Sequence, residues 1–133
     1  SQCPHVNFTI DSTVSIFNVL YIPEFYNYLI KNGLIKPGRM SLYLLFDPNY
    51  FSIRNLPQKA KKQIELVYNN FIQQLASSPE TANICQHARS VIKHMFGEDY
   101  QLQNEFETEI KKVDELRGEN FKEVFSEITQ LLN

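Results

Sequence analysis

The stretch Met40-Ser41-Leu42-Tyr43-Leu44-Leu45-Phe46 (MSLYLLF) is apolar at nearly every position, where a strand with one wet face would alternate. Such a run requires cover on both faces, as in the middle of a parallel sheet flanked by helices. Lys36-Pro37-Gly38 turns the chain into it and Asp47-Pro48-Asn49 ends it. Upstream, Val6 to Leu20 (VNFTIDSTVSIFNVL) is rich in β-branched and aromatic residues, and no helical stripe survives Asp11, Ser12 and Thr13. This predicts a first strand centred on Thr13 to Phe17. Between the two, Pro23 stands where a first helical residue should, and Phe25, Tyr28, Leu29 and Asn32 share one face before Gly33 stops the helix. Strand, helix, strand is the βαβ unit, with its strands parallel. Two strands alone leave both edges open, so the pattern implies more strands than this chain contains.

The remainder reads as helical. After Pro57, the residues Ala60, Ile64, Val67, Tyr68, Phe71, Ile72 and Leu75 recur at spacings of three and four, opposite Lys59, Lys61, Lys62 and Glu65. Ser78-Pro79-Glu80 caps a second helix whose stripe is Cys85, Ala88, Ile92, Met95 and Phe96, stopped at Gly97. Leu102, Phe106, Ile110 and Val113 mark a third that stops at Gly118, and Phe121, Val124, Phe125, Ile128 and Leu132 mark a last one. The expected fold class is therefore α/β: a strand-helix-strand portion over residues 1–56 and a predominantly helical region over 57–133, together one partial domain. No repeat, low-complexity tract or Gly/Ser linker interrupts it.

The 133 residues are 43% hydrophobic and 21% charged, a composition that suits one ordinary globular domain and excludes a disordered tail. Thirteen basic against fifteen acidic residues give a net charge of -2, which lacks the basic footprint of nucleic-acid binding. The longest apolar run, Leu42 to Phe46, falls far short of the roughly 20 residues that span a bilayer, so no membrane role is expected and the chain reads as cytoplasmic. Cys3 and Cys85 stand far apart and read as free thiols rather than as a disulfide or a metal site. Ser1 rather than Met opens the chain, and the expectation is that it begins within a longer protein.

Few residues carry chemistry in recognisable spacing. Cys85, His87 and His94 form the one Cys/His cluster, but on a helix the thiol and the two imidazoles fall on different faces, so no metal site is expected. The four glycines give neither a GxSxG elbow nor a phosphate loop, and the carboxylates from Glu105 to Glu119 interleave with Lys111, Lys112 and Arg117 as a solvated face. More is expected at the carboxyl ends of the parallel strands, where α/β folds place their ligands: Asn18, Asp47, Asn49, Ser52 and Arg54. Thr13 and Ser15 share a strand face with Phe17, and buried polar groups there need partners or a ligand. The plainer roles are strand bonding for Ser15, helix capping for Asn18, and an ion pair with Asp47 or Asp114 for Arg54.

Two of these segments are familiar. STVSIFNVLYIPEF (Ser12 to Phe25), followed by LLFDPNYFSIRNLPQKAK (Leu44 to Lys61), resembles the later strands of phage and bacterial radical SAM proteins of the twitch-domain-containing kind. FETEIKKVDELRGENFKEVFSEI (Phe106 to Ile128) is similar to their closing segment, where Lys-x-x-Asp-x-x-Arg precedes Asn-Phe-x-x-Val-Phe. The resemblance implies a partial (β/α) barrel, a [4Fe-4S] cluster on a Cys-x-x-x-Cys-x-x-Cys loop after the first strand, and S-adenosylmethionine cleaved to a radical. Cys3 and Cys85 cannot supply that triad, so the expectation is a C-terminal portion, inactive alone, whose partner is the missing N-terminal half of the same polypeptide. By position, Ser15 and Asn18 would touch the S-adenosylmethionine and Arg54 a carboxylate of cofactor or substrate, by bidentate pairing. The other reading is a small non-catalytic α/β module that docks a partner chain.

Overall fold

A computed structural model describes residues 6–132. The order is β1 (Ile10–Val14), α1 (Ile22–Lys31), β2 (Met40–Leu44), α2 (Gln58–Leu75), α3 (Ala82–Met95), α4 (Gln103–Arg117), α5 (Phe121–Val124) and α6 (Ser126–Leu132), with single 3₁₀ turns at Asn49–Phe51, Ile53–Asn55 and Pro79–Thr81. The fold is mixed α/β, and β1 and β2 form a two-stranded parallel sheet that pairs Ile10 with Met40 and Val14 with Leu44. The strand-helix-strand unit and its parallel pairing are as the sequence implies.

The register puts Ile10, Ser12 and Val14 level with Met40, Leu42 and Leu44. Met40, Leu42 and Val14 are buried, and α3 packs on β2. The opposite face carries Asp11, Thr13, Ser41 and Tyr43; Tyr43 is 54% exposed, as is Phe46 beyond the strand at 61%. So the chain covers one face of MSLYLLF and leaves the other open. On the outer edge of β2, the Leu42 N–H donates to Nδ1 of His87 on α3 at 2.9 Å, so a side chain replaces one rung of a neighbouring strand.

β1 ends at Val14, earlier than the Thr13 to Phe17 centre expected, because side chains take over the backbone there. The Ser15 N–H donates to Asn18 Oδ1 at 2.9 Å, Asn18 Nδ2 donates to the Thr13 carbonyl at 2.8 Å, and the Val19 N–H reaches the Ser15 carbonyl at 3.0 Å. An Asn that satisfies backbone groups on both sides of itself offers the chain a turn in place of a ladder. In α1 the buried face is Ile22, Pro23, Tyr26 and Leu29; of the face expected, Leu29 is buried, while Phe25, Tyr28 and Asn32 are exposed. Tyr26 wins the interior because its ring meets Phe71 edge-on at 5.4 Å while its hydroxyl accepts the Gly38 N–H at 3.2 Å. Gly38 has φ +80°, and a Cβ there would collide with the Glu80 carbonyl, so this close approach admits only glycine.

The buried residues form one cluster through sheet and helices, with α2 against α1, α3 and α6. The Tyr68 hydroxyl donates to the Val19 carbonyl at 2.8 Å, and burial of that ring pushes its pKa far above the usual range. The last helix of the sequence reading is two, α5 and α6, broken at Phe125. Its ring turns inward to Phe121 and Phe17, at centroid separations of 5.0 and 5.8 Å, while Val124 points to solvent. Among the described residues no helix is long and apolar enough to cross a membrane.

The one-sided cover sets an expectation for stability. Met40→Ala should cost about 2–5 kcal/mol, as large cavities in a packed layer do. Tyr43→Ala should cost under about 1 kcal/mol, since it loses little more than a cross-strand contact. Urea unfolding of the two variants checks the difference; equal losses would mean that the outer face is packed too.

Candidate functional site

The chain leaves β2 through Leu45 and Phe46 and folds the next residues into two 3₁₀ turns. Phe51 takes the Ile16 N–H on its carbonyl at 3.0 Å, which seats this loop against the end of β1. Ser52 Oγ caps the second turn by accepting the Arg54 N–H at 3.3 Å. Asn55 is buried and fully used: Nδ2 donates to the Asn49 carbonyl at 2.7 Å and to the Ser52 carbonyl at 3.3 Å, and Oδ1 accepts the Leu102 N–H at 3.2 Å. The loop after β2 is thereby tied to the segment entering α4.

Between those ties lies a cluster of basic and polar side chains. Arg54 donates from Nε to the His94 carbonyl at 3.1 Å and from Nη1 to the Tyr100 hydroxyl at 3.2 Å, and its guanidinium carbon lies 5.4 Å from the Tyr100 ring centre. Gly97 is the seat for this arrangement: a Cβ there would sit 2.8 to 2.9 Å from three guanidinium atoms. His94 is buried, with Phe46 edge-on to its ring at 5.2 Å and Ser52 Oγ 3.5 Å from Nε2. Burial, and secondarily the Arg54 charge, hold the His94 pKa below its ordinary 6.5. Lys61, in the first turns of α2, is 0% exposed, and its Nζ is buried with no hydrogen-bond partner among the described residues. Its pKa is lowered by burial first; Asp99 is near enough to oppose that and Arg54 near enough to add to it.

Ser52 and His94 do not form a nucleophile and base. Their 3.5 Å separation is longer than the ~2.6–3.2 Å of an engaged pair, and both side chains are buried rather than presented to a substrate. What the cluster offers instead is positive charge and donors with almost no acceptor.

Ser15 and Asn18 bond to one another at the end of β1. Ser15 Oγ also accepts the Phe17 N–H at 3.2 Å, and both ends of the Asn18 carboxamide are engaged within the turn. Neither shares a hydrogen-bond partner with Arg54, which pairs with neither Asp47 nor Asp114; Asp114 Oδ1 accepts the Phe121 N–H at 3.0 Å. His94 is buried and His87 half-buried. Cys85, the one cysteine among the described residues, is buried beside the Ile72 carbonyl at 3.9 Å. A lone buried thiol does not fit a [4Fe-4S] cluster, which is held by several thiolates, three in the Cys-x-x-x-Cys-x-x-Cys loop; Cys3 lies outside the described residues.

Lys61 and Tyr100 are the functional candidates that the sequence reading missed. Lys61 was placed on the wet face of α2, although its spacing from Ile64, Tyr68 and Ile72 (three, then four, then four) puts it on the buried stripe. Nothing local marks Tyr100, which meets Arg54 only through tertiary folding. A separate concavity of about 260 Å³ lies between α4 and α6 on Phe106, Ile110, Phe121 and Leu132, and its charged rim of Glu107, Lys111 and Lys122 is solvent-exposed.

No family model matches this chain, and no curated protein and no solved structure matches it.

Two measurements probe the cluster. Gly97→Ala should cost about 1 kcal/mol, the arginine tip giving way and losing its bonds to the His94 carbonyl and Tyr100, and only a few tenths in an Arg54→Ala background. Additive losses in that cycle would contradict the steric coupling. For His94, the unfolded chain takes up a proton as pH falls through 6.5 that the folded ring refuses. Stability should therefore drop as pH falls below 6.5 and level off once pH is under the folded value, with His94→Gln removing that part of the slope. Denaturant midpoints between pH 5 and 8 read it directly.

Proposed function

We propose that these residues are the C-terminal portion of a radical SAM enzyme, forming one wall of a partial (β/α) barrel that faces S-adenosylmethionine and substrate. The observation that carries the reading is the half-dressed sheet. Parallel sheets occur almost only with both faces covered, and two parallel strands alone are too few to stand. Among the described residues β1 and β2 pair only with each other, and Asp11, Thr13 and Tyr43 face outward uncovered. Further strands beside β1 and β2 would use those edges and that face. The resemblance of Ser12 to Phe25, Leu44 to Lys61 and Phe106 to Ile128 to later radical SAM segments says which strands they would be.

On this reading the cluster is held by cysteines of the missing N-terminal half, since the described residues do not fit it. Ser15, Asn18 and Arg54 lie at or beyond the carboxyl ends of the strands, where such barrels bind cofactor and substrate. The bonds between Ser15 and Asn18 keep that rim in one shape. The exposed Tyr43 and Phe46 equally suit a non-catalytic module that docks another chain.

The complete coding sequence should carry Cys-x-x-x-Cys-x-x-Cys upstream of these residues, and its product should take up a stoichiometric iron–sulfur cluster on anaerobic reconstitution, while residues 1–133 alone take up none. A complete product that binds no iron and forms a discrete dimer through the open sheet would establish the docking module instead.

A further inference from the structure

Lys61 is the least explained group in the molecule. Its ammonium is shut away from water with no partner among the described residues, and a buried cation left so is costly unless something completes it. Its neighbours sharpen the requirement. Arg54 is a second cation close enough to repel it. The guanidinium spends Nε on the His94 carbonyl and Nη1 on Tyr100, so Nη2 has no partner among the described residues. The Tyr100 hydroxyl accepts from Arg54 and keeps its own proton to give. His94, buried beside Ser52, adds no negative charge. The one nearby carboxylate, Asp99, is solvent-exposed and accepts the Gln101 N–H at 2.7 Å. Two basic side chains and a hydroxyl, all donors, thus share one neighbourhood, where the carboxylate of Asp99 is turned to solvent.

We propose that Lys61, Arg54 and Tyr100 form a binding site for an oxyanion, and that its ligand class is the phosphate monoester. A dianionic phosphate balances both cations and has acceptors enough for the free donors, which a neutral ligand does not. Gly97 to Gln101 joins α3 to α4, carries Asp99 and Tyr100, and includes Gln101 in the left-handed region at φ 55°. An open cleft of about 350 Å³ lined by Asn55, Asp99, Gln101, Gln103 and Asn104 borders that loop, and a ligand entering there reaches the buried amine only when the loop moves. The site lies beyond the carboxyl end of β2, on the side where parallel sheets bind ligands, and it stands whether or not the chain belongs to a radical SAM enzyme.

The test is thermal unfolding of the full 133-residue chain in inorganic phosphate, in malonate and in chloride at matched ionic strength. Phosphate should raise the Tm by a few degrees over chloride, the shift growing with its concentration as single-site binding requires. Lys61→Met keeps the volume, removes the charge and should abolish the phosphate shift while the protein stays folded by circular dichroism. Arg54→Lys, which retains the charge and loses the fork, should weaken the shift at least tenfold in apparent Kd. A wild-type chain indifferent to phosphate, or a Lys61→Met chain that still responds, overturns the site. A Lys61-dependent response to malonate alone overturns the phosphate assignment in favour of a dicarboxylate.

Discussion

Met40 and Leu42 are driven into the layer formed by α3, and the rest of the molecule arranges itself around that packing. A parallel pair of five-residue strands has too few hydrogen bonds to persist in water, so it exists here only because one face is sealed by helices. That seal fixes α3 over β2, which places His87 where its imidazole can take a backbone N–H from the strand's outer edge. It also brings the end of α3, with His94 and Gly97, over the loop that follows β2, where Arg54 joins them. The polar cluster is thus a by-product of burying two apolar residues.

The same geometry explains why the molecule is lopsided. Among the described residues helical cover is dense on one side of the sheet and lacking on the other, where Asp11, Thr13 and Tyr43 meet solvent. At the far end, α4, α5 and α6 bury little beyond Phe106, Phe121 and Ile128, and they hold to the body through a nest of aromatic rings around Phe17. Such a sparse attachment belongs to the low end of local stability, below that of α2 and α3.

The elements were legible where periodicity speaks and illegible where side chains replace backbone. The stripe Ala60, Ile64, Tyr68, Phe71 and Leu75 named α2 and its inner face together, and Gly33 and Gly118 marked ends of α1 and α4 with positive φ. The end of β1 was hidden because it depends on an Asn18 side chain bonding Thr13 and Ser15, an event with no period. In α1, Phe25 and Tyr28 outweigh Tyr26 in count, yet Tyr26 alone has both a ring partner in Phe71 and a polar partner in Gly38. Lys61 shows the opposite failure: its position on the buried stripe was visible, and its charge argued it away. Arg54 was singled out from its place after β2, but its partners Tyr100 and the His94 carbonyl lie 40 or more residues on and leave no trace in local spacing.

The bare α-carbon of Gly97 makes positions 54 and 97 a coupled pair in evolution. A side chain at 97 would make the arginine tip swing away, and the guanidinium keeps this seat only where 97 is bare. Lineages that keep the guanidinium in this seat should favour glycine at 97, and the two sites should tend to change together.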